Sequence, residues 1–172
     1  MRGLTKTDIL RGLSELAAVL GPASPPRELT IAGGAALVLL YDARQSTKDV
    51  DLVVSAPGVR DAARAVALKL GWPEDWLNDG AKGYMRGLSL GDVVLESPSL
   101  VVRSLSPLHL LAMKLCAWRD DVDVEDARLL LSKLAGDKDT IWNRIEAHLI
   151  VGRELKARYA FEDLWEAARG RS

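Results

Sequence analysis

The sequence predicts an α/β fold of the mixed α+β kind, a sheet flanked by helices and followed by a part built of helices alone. Up to residue 105, short aliphatic runs bounded by glycine or proline alternate with amphipathic helical stretches. One of those runs, Asp49-Val50-Asp51-Leu52-Val53-Val54, alternates acid and aliphatic before turning wholly apolar, as an interior strand does. From Ser106-Pro107 onward only helical signals remain. Residues 1–105 therefore read as the core and residues 106–172 as a helical part packed on it.

The elements follow in order. Thr5 or Thr7 suits the N-cap of a first helix reaching Leu20, with Ile9, Leu13, Leu16 and Ala17 on its apolar face. Gly21-Pro22 ends that helix, and Pro25-Pro26 makes a stiff connector. Residues 29–32 read as a brief buried strand running into Gly33-Gly34, with a helix over 35–41 directly after. The strand over 49–54 comes next, then a break at Pro57-Gly58 and a helix over 59–70. Residues 71–83, with Trp72, Trp76 and several glycines, read as a loop that packs its tryptophans or covers a ligand with them. Strands are expected over 84–89 and 93–96, paired as a hairpin through a Gly91-Asp92 turn, and a further strand over 100–104. Ser106 is a suitable N-cap and Pro107 a suitable first residue for a helix reaching about Arg119. Another helix is expected over 124–134, and two more in the C-terminal third.

Composition narrows the function classes. The chain has 172 residues and a formal net charge of −1, which argues against a large nonspecific nucleic-acid binder. Arg153, Lys156, Arg158, Arg169 and Arg171 still give the C-terminal region a cationic bias, which a solvated helix face would explain. Cys116 is the only cysteine, so neither an internal disulfide nor a thiolate zinc site can form. The expected compartment is a reducing cytoplasm. Signal-peptide features are missing from the N-terminal residues, and the longest apolar run, 108–118, is broken by His109 and Lys114, so no membrane association is expected.

Two short patterns carry chemistry. Asp49 and Asp51 stand two residues apart on an expected strand, which places both carboxylates on one face. Like charges held together are costly unless a cation joins them, and an oxygen-only ligand pair favours magnesium or manganese over zinc. Either an exposed strand face or a metal site answers to that pattern. Gly33-Gly34, between a strand and a helix, offers backbone N–H groups at a helix start where phosphate binds. No Gly-Lys-Ser/Thr follows, so this is not a P-loop, and the third glycine of a dinucleotide fingerprint is missing.

In order, Gly33-Gly34, an apolar helix, a connector with Arg44, Thr47 and Lys48, and Asp49-Val50-Asp51 make a pattern that resembles the nucleotidyltransferase superfamily of the DNA polymerase β type. The run Arg44-Gln45-Ser46-Thr47-Lys48-Asp49 is similar to the version found in abortive-infection-type nucleotidyltransferase toxins (AbiEii-like) and related uncharacterised families. A second stretch points the same way. Lys114 is the only full charge in an apolar helix, and the acidic run Asp120 to Asp126 precedes a leucine-rich one.

The resemblance covers Ile31 to Leu131 and implies a nucleotidyltransferase core. Asp49 and Asp51 would bind Mg2+ or Mn2+, and Gly33 and Gly34 would contact the triphosphate of an NTP. Arg44, Thr47 and Lys48 would sit by its phosphates. Lys114 and Asp126 map to active-site residues of the toxin-like group, with Asp123 as the first acid of the same Asp-x-x-Asp. Superfamily members carry a third carboxylate on a following strand. Glu96 suits that place better than Asp92, unless Asp126 supplies the function instead. The implied activity moves an NMP from an NTP to a hydroxyl acceptor, RNA such as tRNA, in a toxin–antitoxin or phage-defence setting with a cognate antitoxin protein. Alternatives are a protein or small-molecule acceptor, or a degenerate domain serving as a binding or antitoxin module. His109 and His148 stand on helices without a partner that suggests a nucleophilic triad, so packing is their expected role.

Overall fold

The structure, a computed structural model, describes residues 3–169. Among the described residues it is a mixed α/β protein with seven helices, a five-stranded mixed sheet and a two-stranded sheet. Its contacts divide the chain into two units. One runs through Lys82 and also takes Leu90–Leu105; the other takes Gly83–Ser89 and the chain from Ser106 onward.

The first unit opens with β1 (Leu4–Thr5) and α1 (Lys6–Leu20). Thr5 caps α1 through a full capping box: its hydroxyl accepts from Asp8 N–H, while the Asp8 carboxylate accepts from Thr5 N–H at 2.9 Å. The expected apolar face, Ile9, Leu13, Leu16 and Ala17, is buried. Then follow β2 (Arg27–Ala32), α2 (Gly33–Leu40), β3 (Ser46–Thr47), β4 (Val50–Val54), α3 (Val59–Leu70), β5 (Leu77–Asn78), β6 (Leu90–Glu96) and β7 (Leu100–Leu105). The larger sheet runs β5-β4-β2-β7-β6. Strand β2 lies at its centre, antiparallel to β4 and parallel to β7. Leu29, Thr30, Ile31 and Ala32 are all buried, so both faces of β2 are covered. Short β1 pairs antiparallel with β3 in the second sheet, a pairing without any sequence signal.

The expected hairpin is displaced. Residues 84–89 form no strand, and β6 runs straight through Gly91 and Asp92. A Cβ on Gly91 would lie 2.7 Å from both Leu105 O and Ser104 Oγ. Glycine there permits a close approach within a strand, at a register shift, rather than a turn. The hairpin is β6–β7, closed by Ser97-Pro98-Ser99, where Ser97 N–H donates to Leu100 O at 2.9 Å. The expected loop over 71–83 also contains β5 and a 3-10 turn, Gly80–Tyr84. Trp76 is buried there, stacks edge-on with Trp72 at 5.3 Å, and donates Nε1–H to Ala63 O at 3.0 Å. Both tryptophans abut Gly12 and therefore pack rather than cover a ligand.

The helical unit contains α4 (Pro107–Ala117), α5 (Asp121–Ser132), α6 (Lys138–Glu146) and α7 (Glu154–Arg169). Helix α5 starts three residues before the predicted Val124, because Asp120 caps it by accepting from Asp123 N–H at 3.0 Å. Helix α4 touches each of the other three. Burial of Leu108, His109, Leu110, Leu111, Ala112, Leu115 and Cys116 accounts for its being apolar all round. Of the C-terminal cations, Lys156 donates to Ala117 O at 2.5 Å, and Arg158 pairs with Glu162 and lies 4.8 Å from the centre of the Trp142 ring. The Arg169 side chain and Arg171 lie outside the described residues. Among the described residues no helix is long and apolar enough to cross a membrane.

His109 is fully buried and stacks on His148, with ring centroids 4.3 Å apart, and among the described residues neither of its ring nitrogens has a hydrogen-bond partner. Burial first, and the neighbouring His148 second, push its pKa down from 6.5 to about 4. The unfolded chain then binds a proton more readily than the folded one. This stability is therefore complete above pH 6.5 and is lost as the pH falls towards 4. Between pH 7 and pH 5 the expected loss from this group is about 2 kcal/mol. Urea midpoints at the two pH values measure it, and His109→Leu should flatten the dependence over that window.

Candidate functional site

The first unit gathers the glycine turn and the acidic pair. Residue Ala32 at the end of β2 faces Asp51 of β4 in register, so the chain leaves the sheet beside Asp51 and enters α2 at Gly33. Gly33 has φ +62°, a left-handed conformation that favours glycine, and a Cβ there would stand 2.7 Å from Asp51 Oδ2. A Cβ on Gly34 would collide with Thr47 Oγ1 and lie 3.3 Å from Arg44 Nη1. Closeness, not only turn geometry, thus accounts for both glycines. Residues Gly33, Gly34, Arg44, Thr47 and Asp51 are brought together.

Asp49 precedes β4 rather than lying in it, and its Oδ2 accepts from Asn78 Nδ2 at 3.0 Å. Asn78 is the register partner of Asp51 on β5. A Cβ on Gly80, just beyond, would stand 3.8 Å from Asp51 Oδ1, so glycine backbone flanks both oxygens of that carboxylate. Lys48 is exposed between Thr47 and Asp49. The N-caps of α2 and α3 are Ala32 and Gly58, which have no side-chain oxygen, whereas Thr5, Ser106, Asp120 and Asp137 cap α1, α4, α5 and α6. The first-turn N–H groups of α2 therefore lack a capping side chain and form a concentration of positive potential.

Glu96 does not join this group. It ends exposed edge strand β6, which β7 and β2 separate from β4. It pairs with Val101, level with Glu28, while Asp51 is level with Ala32 at the other end of β2. Strand spacing and rise put it on the order of 15–20 Å away. The expectation of a third carboxylate at Glu96 is corrected by strand order. Asp92 is also exposed on β6 and raises the pKa of Tyr41, an effect second to burial.

Lys114 and Asp126 meet within the helical unit. The Lys114 ammonium lies 2.7 Å from Asp126 Oδ2 and 2.8 Å from Asp123 Oδ1, with side-chain exposures of 12%, 3% and 2%. Asp123 also accepts from Arg119 N–H at 3.1 Å and from Arg119 Nε–H at 3.1 Å. Burial alone would raise the Asp123 pKa, but the hydrogen bonds from Arg119 and Lys114 prevail and hold it at about 2. One ammonium thus faces two buried carboxylates, with Arg119 adding a second cation at the rim.

Among the described residues, no group of three or more His, Cys, Asp or Glu side chains is placed to hold a metal ion. Asp49 and Asp51 would offer oxygen donors only, and Asn78 is hydrogen-bonded to the first and opposite the second in register. Such oxygen donors fit magnesium, which is commonly held by one or two carboxylates with substrate phosphates and water. The amide of Asn78, absent from the expectations, is the added member of the group. Comparison with family models, with curated proteins and with solved structures returns no match for this chain.

Proposed function

We propose that the chain is a metal-dependent nucleotidyltransferase that moves an NMP from an NTP to a hydroxyl acceptor and releases pyrophosphate. The observation that carries this reading is the Gly33–Asp51 contact, which joins an uncapped helix start to an acidic pair. A phosphate binder and a cation binder side by side answer to a substrate that carries both, a metal–triphosphate.

Backbone N–H groups at the start of α2 would donate to phosphate oxygens, and Arg44, adjacent to Gly34, would add positive charge. Asp49 and Asp51 would hold the cation. Bound there, Mg2+ or Mn2+ supplies neutralisation of the triphosphate and lowers the pKa of the attacking hydroxyl. The acceptor oxygen forms a bond to the α-phosphorus, the bond to pyrophosphate breaks, and the hydroxyl proton passes to water or a carboxylate. Lys114 already faces two carboxylates, so its part in transfer is a separate question from its part in the helical unit.

RNA such as tRNA is the proposed acceptor, as the toxin-like resemblance implies, with an antitoxin protein as partner. Incubating the chain with Mg2+, total cell RNA and each α-labelled NTP in turn tests this. Label in the RNA fraction is the expected result. Label in protein or in small molecules keeps the transfer and moves the acceptor. No incorporation from any NTP overturns the reading.

A further inference from the structure

Asn78 closes β5, a two-residue strand at the edge of the larger sheet, parallel to β4 and directly opposite Asp51. Its amide is committed at both ends. Nδ2–H donates to Asp49 Oδ2 at 3.0 Å and to Asp75 O at 3.2 Å, while Oδ1 accepts from Gly80 N–H at 2.8 Å. Both partners on the nitrogen side are pure acceptors, and the partner on the oxygen side is a pure donor. No flipped amide satisfies all three, so the network fixes which end faces Asp49.

We infer that Asn78 is a positioning residue for the cation: its donated hydrogen bond immobilises one oxygen of Asp49 and leaves the other for the metal. This rests on the reading that Asp49 and Asp51 hold a divalent cation. Asn78 is not itself a ligand, because its oxygen is turned to Gly80 and its side towards Asp49 is N–H. Groups that hydrogen-bond a metal-binding side chain set its orientation, and their loss typically weakens metal binding 10–100-fold. A carboxylate released from such a bond must give up rotamer freedom each time it binds.

The same side chain also caps the turn at Gly80, and that is the competing structural role. The two roles sit on different atoms and can be separated. Asn78→Ser keeps an oxygen for Gly80 N–H, as a serine turn does, but is too short to donate to Asp49 and adds no charge. Asn78→Ala removes both.

Mn2+ titration of the full chain without nucleotide, followed by the electron-paramagnetic-resonance signal of free Mn2+, tests the inference. The wild-type chain should bind Mn2+ and Asp51→Asn should not; a wild-type chain that binds none overturns the parent reading and this one together. Asn78→Ala should weaken Mn2+ binding by about tenfold while keeping its circular-dichroism spectrum. Unchanged affinity in a folded Asn78→Ala overturns the positioning role alone. Should that variant not fold, Asn78→Ser decides. Its Tm should rise less on adding Mn2+ than the wild-type Tm does, because Asp49 has lost the donor that orients it. An equal or larger rise overturns the inference.

Discussion

Asp51→Asn is expected to lower nucleotidyl transfer on the order of a thousandfold, the scale of removing a preorganised electrostatic contact to the transition state. The substitution is nearly isosteric, so Gly33 and Gly80 still have room on either side of residue 51. The informative measurement pairs turnover with thermal unfolding. Mg2+ with a nonhydrolysable NTP should raise the wild-type Tm and leave the Asp51→Asn Tm unmoved. Turnover within a fewfold of wild type in this variant would remove the acidic pair from the mechanism.

Lys114→Met should cost about 3–5 kcal/mol of stability, the range for taking one partner from a buried ion pair. Methionine replaces most of the stem volume, so the loss reports charge rather than packing. Asp126 and Asp123 would remain buried at 3% and 2% side-chain exposure without the ammonium that bridges them. In a chain of this length that corresponds to a Tm fall on the order of 10 °C. The triple change Lys114→Met, Asp123→Asn, Asp126→Asn leaves neither the ammonium nor a buried charge, and should recover part of the lost stability. Equilibrium urea unfolding measures both steps. Transfer by the triple variant then decides its chemistry: activity that returns with stability removes Lys114 and Asp126 from the site, and activity that stays lost places them in it.

What was legible in the chain was local. Thr5, Ser106 and Pro107 announce helix starts because a cap and the turn it satisfies lie within four residues. Lys114 and Asp126 meet because a short connection brings the start of the second helix back beside the first. The closeness of Gly33 to Asp51 follows from their order, a glycine turn that leaves one strand ahead of an acidic one. Strand neighbours were not visible. Asn78 matters through its place opposite Asp51, and a two-residue strand amid tryptophans and glycines has no periodicity to betray it. Glu96 was misplaced for the same reason, since sequence proximity to a following strand says nothing of two strands inserted between. Gly91 resembled a turn residue, although its role is to let β6 pass close to β7.

The contact between Gly33 and Asp51 also bears on how this chain can vary. A side chain at position 33 would push directly on the carboxylate at 51, so the two positions form a single unit of inheritance. Changes tolerated at one should depend on the residue at the other. A library randomised at both should yield survivors as pairs, with fitness poorly predicted by summing single substitutions. The coupling has a directional consequence for engineering. Under the proposed function, altered phosphate binding is better sought at Arg44 or Thr47, which border the turn, than at the glycine that touches the acid.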